Sequence, residues 1–332
     1  MRDPSFWWRD AGVNALALAP FGASYGAVAA YRMGMKGQAA GVPVVCVGNL
    51  TVGGSGKTPT ALALGQMLLN AGRRVVFLSR GYGGTNTATM RVDPALHAAT
   101  LVGDEPLLLA RLAPTIVSPD RVAGAAMARS IGSSVIVMDD GFQNPSLSKD
   151  LSLVVLDGRR GIGNGRVIPA GPMRAPLRSQ MRHADALLVL GMASQQCETA
   201  IAAAQARNIP VLRGWLEAEA DAVSAMIGLR ALAFAGIGDP EKFFATLAEA
   251  GIATPVTLGF PDHHRYSRSE AEALVKRAAQ ENLVLITTEK DLVRIARDPE
   301  VAALSKVTRA LPVTLDFDDE DILRQLLFEK AA

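Results

Sequence analysis

Cysteine, aromatic residues and surplus charge are all scarce in this 332-residue chain. Its two cysteines, Cys46 and Cys197, cannot make a disulfide framework. Cys46 lies inside the apolar run "VPVVCVGN" and reads as a reduced core thiol, consistent with a cytosolic redox setting. No C-x-x-C pair and no His/Cys cluster has zinc-ligand spacing. The 34 basic residues against 32 acidic ones leave a formal charge of +2, so there is no global pull toward nucleic acid. No Lys/Arg block interleaved with aromatics supplies a local one, and nucleic acid is excluded as a partner. Residues 11–31 are free of charge but are mostly Ala and Gly, with Asn14 near the start and Pro20 in the middle, a poor membrane-spanning helix. Aromatics and Asp10 stand where a secretory signal needs its basic region. Two readings of the segment stay open: a helix lying in a membrane interface, between "FWWRD" and "YRMGMK", and an ordinary helix packed on its domain.

What the chain has in quantity is apolar side chains, 49% of residues, enough for a sizeable core. Beyond the N-terminal helix, apolar β-rich runs alternate with helical patterns. "VPVVCVGN", "RRVVFLS", "PTIVS", "SVIVMDD" and "LSLVVLDG" read as strands; "TPTALALGQMLLNAG", "GDEPLLLARLAP" and "DRVAGAAMARSIG" read as helices. Such alternation predicts a mostly parallel sheet with helices on both faces. The stretch from Arg159 to Arg182 is rich in Gly, Pro and Arg and lacks periodicity, so it reads as a passage between lobes. Strand–helix alternation then resumes to a closing helix, "DEDILRQLLFEK". The expected fold class is α/β, a mostly parallel sheet with helices on both faces, a second, smaller α/β lobe and an N-terminal apolar helix. The expected division is 1–32 for the N-terminal helix, 33–165 for the first α/β domain, 166–182 for the linker and 183–332 for the second lobe with its closing helix.

The strongest chemical signal is "TVGGSGKT", residues 51–58, between an apolar strand and a helix. Backbone N–H groups of a glycine-rich turn and the positive end of the following helix make a nest for phosphate. Thr51, Val52, Gly53, Gly54, Ser55, Gly56, Lys57 and Thr58 are therefore predicted to bind a nucleotide, with Lys57 reaching the β/γ-phosphates and the Thr58 hydroxyl on Mg²⁺. The usual pattern, G-x-x-x-x-G-K-[ST], has glycine where Thr51 stands. Such a loop needs an acidic partner for the metal at a neighbouring strand end, and Asp139 and Asp140 close "VIVMDD". Asp157, ending "LVVLD", is the second candidate. Asp104 and Glu105 open a helix, where acidic residues are ordinary dipole partners. His263 and His264, two of only four histidines, stand beside Asp262 in a turn.

Together these stretches resemble the bacterial tetraacyldisaccharide 4′-kinases of lipid A synthesis. The likeness is carried, in order, by "VGNLTVGGSGKTPT", "LSRGYGG", "VGDEPLLLA", "DDGFQN", "GRVIPAGPMRAP", "FPDHHRYS" and "TTEKD", and runs from the N-terminal helix to about residue 295. That family carries threonine at the position of Thr51. The resemblance implies a magnesium-dependent kinase moving the γ-phosphoryl of ATP onto the 4′-hydroxyl of tetraacyldisaccharide 1-phosphate to give lipid IV-A. It implies a peripheral or monotopic enzyme on the cytoplasmic face of the bacterial inner membrane, working on an acylated disaccharide lipid. Asp104 would be the base, supported by His263; Glu105, Asp139 and Asp140 would serve Mg²⁺ and the phosphate site. Arg80, Arg121 and Arg174 would meet substrate phosphate or transition-state charge. The rival readings are a soluble P-loop kinase or ligase for a small metabolite and a GTPase switch. The switch needs an N/T-K-x-D motif, and in "TTEKD" the lysine is one place late.

Overall fold

Strands buried on both faces read as continuous apolar runs, and those runs form the centre of this fold. The structure is a computed structural model that describes residues 3–330. In chain order its strands are β1 (Val44–Asn49), β2 (Val75–Ser79), β3 (Met90–Arg91), β4 (Thr115–Val117), β5 (Val135–Asp139), β6 (Leu151–Asp157) and β7 (Ala186–Leu190). There follow β8 (Val211–Ala218), β9 (Arg230–Ala235), β10 (Ala253–Gly259), β11 (Val284–Thr288), β12 (Thr308–Leu311) and β13 (Val313–Phe317).

Nine of them make one sheet in the order β13-β8-β7-β6-β1-β5-β2-β4-β3. The strands from β8 to β4 are mutually parallel, and both edges are closed by antiparallel strands, β13 on β8 and β3 on β4. β1 sits at the centre, with Val45 beside Val137 of β5 and beside Leu151 of β6. Two apolar layers sandwich this sheet: one gathers Cys46, Leu78, Ile136, Val154 and Val189, the other Val45, Leu64, Phe77, Val155 and Leu188. Cys46 is wholly buried in the first, and burial pushes its thiol up to about 11, so it stays protonated. A second, all-parallel sheet, β10-β9-β11-β12, forms the smaller lobe around Leu232, Phe234, Leu285 and Ile286.

The expected α/β class with a smaller lobe is what the sheets show, but they divide the chain differently from 166–182 and 183–332. β7 pairs with β6 and β8 with β7, so residues 186–218 extend the large sheet instead of opening a second lobe. The smaller sheet spans 230–311; β13 then returns to β8, and Leu323 and Leu327 of the C-terminal helix pack on the large sheet. The physical reason is that an apolar parallel strand adds wherever a sheet edge is open, and alternation of strands and helices does not reveal which edge that is. Nor is the Gly/Pro/Arg stretch a bridge between lobes. It folds against the glycine loop, where Val52 N–H donates to Pro172 O at 2.9 Å and Thr51 bridges Met173. The helix Ala19–Met33 lays Gly22 and Gly26 on this stretch: a Cβ on Gly22 would come within 2.7 Å of Val167 O, and one on Gly26 within 3.3 Å of Pro176 Cγ. Its opposite side leaves Phe21, Val28 and Tyr31 exposed. Among the described residues no helix is long and apolar enough to cross a membrane.

Candidate active site

The carboxyl ends of both sheets open onto one cavity of about 1180 Å³. From the large sheet come the loop after β1, Arg80 after β2, Asp139 and Asp140 at the end of β5, and Asp157 at the end of β6. From the smaller lobe come Gly238 after β9, Asp262 and His263 after β10, and Lys290 just after β11. Crevices at the carboxyl ends of parallel strands are where such sheets bind ligands.

The glycine loop carries the chain from β1 into the helix Lys57–Asn70. Gly53 and Gly56 hold φ of +92° and +88°, and a Cβ on Gly56 would come within 2.2 Å of Leu190 Cδ1, so both space and backbone demand glycine there. Lys57 is the first residue of that helix. Burial lowers its pKa, opposed by the nearby Asp140 carboxylate, whose Oδ2 lies 3.8 Å from Lys57 Nζ. The Thr58 hydroxyl donates to Asp139 Oδ2 at 3.3 Å. Asp139 Oδ1 and Ser55 Oγ are buried with no hydrogen-bond partner among the described residues. Burial pushes the Asp139 carboxyl up to about 7, only partly offset by Lys57.

Asp140, adjacent in sequence, has a different environment. Its backbone is left-handed, with φ of +56°, and its carboxylate accepts both arms of Arg174 at 2.8 and 3.2 Å. Burial raises its pKa, but Lys57 and Arg174 outweigh that and hold it below the ordinary value. Arg174 Nε also donates to Thr51 O at 3.0 Å, so this arginine clamps the loop to the strand end. Arg121 is buried, donating to Ser118 O at 2.6 Å and to Asp140 O at 3.3 Å. Arg80 is exposed on the cavity wall. Asp157 is taken up by the N–H groups of Arg159 and Arg160, each at 3.0 Å, and by Lys242 at 3.4 Å.

Asp104 opens the helix Asp104–Leu109 and is only 3% exposed. His263 Nδ1 lies 3.3 Å from its Oδ1, and Arg294 Nη2 forms an ion pair with its Oδ2. Burial raises the Asp104 pKa, but the His263 hydrogen bond and the charges of Lys290 and Arg294 prevail and keep it well below the carboxylate range. The same hydrogen bond raises the pKa of His263. His263 has φ of +53°, fixed by its N–H donating to Gly236 O at 3.0 Å, and its ring meets Tyr82 edge-on at 5.2 Å. His264 turns the other way, onto Glu270 at 3.1 Å and against Phe260 at 4.8 Å, a packing role. Glu105 gathers with Asp104 and His263, with ligand atoms within 4.8 Å of one another, and its Oε1 accepts from Lys290 Nζ at 3.0 Å. Burial raises the Glu105 pKa against the pull of Lys290. Lys290 and Arg294 join the site although neither is singled out by residue pattern. For the first the signal is its place in "TTEKD"; the second, three places beyond that motif, carries none.

A phosphate loop with its lysine, threonine and strand-end aspartate, sharing one cavity with a carboxylate–imidazole pair, is the site of a P-loop phosphotransferase. Residues 14–332 match the family model described as tetraacyldisaccharide-1-P 4′-kinase. A tetraacyldisaccharide 4′-kinase of Rhodopseudomonas palustris (strain BisB18) is 51% identical over 330 residues, 99% of this chain and 96% of that protein. One of Methylobacterium sp. (strain 4-46) is 53% identical over 328 residues, 98% of this chain and 97% of that protein. The crystal structure of the Aquifex aeolicus LpxK in complex with ATP superposes with a TM-score of 0.74 at 27% identity, covering 96% of this chain and 99% of that one. The chain belongs to the tetraacyldisaccharide-1-P 4′-kinase family, and is a kinase of lipid A biosynthesis.

Proposed function

We propose that this kinase moves the γ-phosphoryl group of ATP onto the 4′-hydroxyl of tetraacyldisaccharide 1-phosphate, giving lipid IV-A, at the cytoplasmic face of the bacterial inner membrane. The observation that carries the residue assignment is that Asp104 and His263 line the same cavity as Lys57 and Thr58, one half of the pair from each lobe.

The glycine loop cradles the phosphates of ATP with its N–H groups, and Lys57 places a buried positive charge on them. Thr58 and Asp139 suit Mg²⁺: a hydroxyl and a carboxylate side by side, with Asp139 Oδ1 lacking any hydrogen-bond partner among the described residues, are the oxygen ligands a hard cation takes. Thr58 and Asp139 would hold such an ion beside the nucleotide, where it would supply charge neutralisation for the phosphoryl oxygens. Asp140, engaged by Arg174 and Lys57, holds the loop rather than the ion. Glu105, engaged by Lys290, is a neighbouring carboxylate that the lysine neutralises. Arg80, exposed on the wall, remains the arginine best placed to meet a phosphate of the substrate, whereas Arg121 and Arg174 are committed to backbone and to Asp140.

Asp104 accepts the proton of the attacking hydroxyl as the new P–O bond forms, and His263 orients the carboxylate through its hydrogen bond. Phosphoryl transfer needs little more than positioning and charge neutralisation, so this set suffices. The exposed face of the Ala19–Met33 helix, with Phe21, Val28 and Tyr31 outward, suits a surface where the acyl chains of the substrate stay in the bilayer.

The test is to incubate the protein with ATP, Mg²⁺ and micellar tetraacyldisaccharide 1-phosphate and look for a bis-phosphorylated lipid. Its formation only with Mg²⁺ and the acylated acceptor supports the reading. Turnover of a soluble small-molecule acceptor in its place would favour the rival metabolite kinase.

A further inference from the structure

A buried arginine of the smaller lobe holds the carboxylate assigned as base. Arg294, whose side chain is 8% exposed, lies on the helix Glu289–Ala296 and spreads its two terminal nitrogens between two carboxylates. Nη2 pairs with Asp104 of the large lobe, and Nη1 donates to Asp291 Oδ1 at 2.7 Å. Nη1 also donates to Gly236 O at 3.1 Å, the same carbonyl that accepts the N–H of His263 at 3.0 Å.

Asp291 is completely buried and fully used. It accepts from Gly236 N–H at 3.0 Å on each oxygen, from Tyr266 OH at 2.9 Å and from Thr288 Oγ1 at 2.7 Å. Charges are taken out of water at such a cost that they persist only with excellent geometry and complete hydrogen bonding. Here that geometry has a consequence at the site: one carbonyl, Gly236 O, fixes both the backbone of His263 and the guanidinium that fixes Asp104.

We infer that Arg294 is a positioning residue for phosphoryl transfer, a rigid fork that uses the buried Asp291–Tyr266–Gly236 hub of the smaller lobe to aim the Asp104 carboxylate at the acceptor hydroxyl. The inference rests on the reading of Asp104 as base. Arginine is required because its planar fork reaches two carboxylates in fixed directions, whereas a lysine is a single point charge. Tyr266 braces Asp291, which holds the far end of the fork, and the polar partners of Arg294 all lie outside the nucleotide loop.

The experiment compares full-length wild type with Arg294→Ala, Arg294→Lys and Asp104→Asn in the micellar lipid assay, together with thermal melts. Displacing a base by an ångström costs on the order of 100-fold in turnover, so Arg294→Ala is expected to lower kcat by about that factor while KM for ATP changes less than about twofold. Low-millimolar guanidinium is expected to restore part of the kcat of Arg294→Ala and none of that of Asp104→Asn. Arg294→Lys keeps the charge and much of the packing, and is expected to fold yet lose at least about tenfold in kcat. Wild-type kcat in Arg294→Lys, or a loss in Arg294→Ala that falls on KM for ATP instead of kcat, overturns the inference. If Arg294→Ala does not fold, Arg294→Lys alone decides. Should Asp104→Asn remain active, the base assignment itself fails, an outcome distinct from an inactive Asp104→Asn beside a fully active Arg294→Lys.

Discussion

Thr58 and Asp139 face each other across the mouth of the phosphate loop: the threonine hydroxyl donates to Asp139 Oδ2 at 3.3 Å, while Oδ1 of the same carboxylate is buried with no hydrogen-bond partner among the described residues. An ionised carboxylate in that state is costly, and the cost is visible in a pKa raised to about 7 by burial. The next residue, Asp140, is paired with Arg174 and Lys57 and pulled the opposite way. These opposite shifts are the ground for the proposal that Asp139 serves the cation while Asp140 braces the loop.

Asp139→Asn tests this in the protein without nucleotide or metal. Because the folded carboxyl keeps its proton until about pH 7 while the unfolded one loses it near pH 4, folding takes up a proton in that window. Wild-type stability therefore falls as pH rises from about 4 to 7, by at most a few kcal/mol. The asparagine variant should lack this dependence, melting higher than wild type at pH 8 and alike at pH 4, and should lose Mg²⁺-dependent turnover. Equal melting at both pH values would mean that Asp139 is not strained by its burial.

Lys57→Ala is expected to lower turnover on the order of 100- to 1,000-fold by removing a buried cation from the phosphates. Asp140 keeps Arg174 as its partner, so circular dichroism and melting temperature should change little. Near-normal turnover would remove Lys57 from the phosphate site.

The two adjacent histidines should separate cleanly. His263→Ala is expected to lower kcat on the order of 100-fold, and His264→Ala to act mainly on stability through its Glu270 and Phe260 contacts. The His263–Asp104 hydrogen bond raises the His263 pKa above 6.5, so its stabilisation is complete below that value and fades as pH rises through the folded pKa. The stability deficit of His263→Ala should thus be larger at pH 5.5 than at pH 9, as measured by denaturant titration; a deficit that grows with pH contradicts the pairing.

The exposed side of the Ala19–Met33 helix can be made polar without touching its packed glycines. Phe21→Ser, Val28→Ser and Tyr31→Ser together replace side chains that are 66%, 60% and 76% exposed. Each large apolar group contributes on the order of 1.5 kcal/mol or more when buried in lipid, so vesicle co-sedimentation should weaken more than about tenfold while the melting temperature holds. Unchanged vesicle binding would make the helix an ordinary packed one.

Much of the large sheet was legible because its signals are local. Short β-rich apolar runs such as "VVCVGN" read as strands buried on both faces, and "GGSGKT" between such a run and a helix reads as a phosphate loop. Asp104 and His263 were legible only through resemblance, since an acidic helix start and a loop histidine are ordinary on their own. The strand β10 carries little strand signal in sequence, because Pro255 and the exposed Thr257 break its pattern.

The α/β class is legible in the alternation of strands and helices along the chain, and the phosphate loop, the acidic strand end and the buried Cys46 in runs of a dozen residues or fewer. Tertiary packing fixes that residues 186–218 and the C-terminal helix belong to the large sheet. It alone gave Asp139 and Asp140 opposite environments, and it alone brought Arg294 from 190 positions away onto Asp104. Those outcomes turn on which edge a strand joins and which charges meet in a desolvated cleft, and both are properties of packing between distant segments.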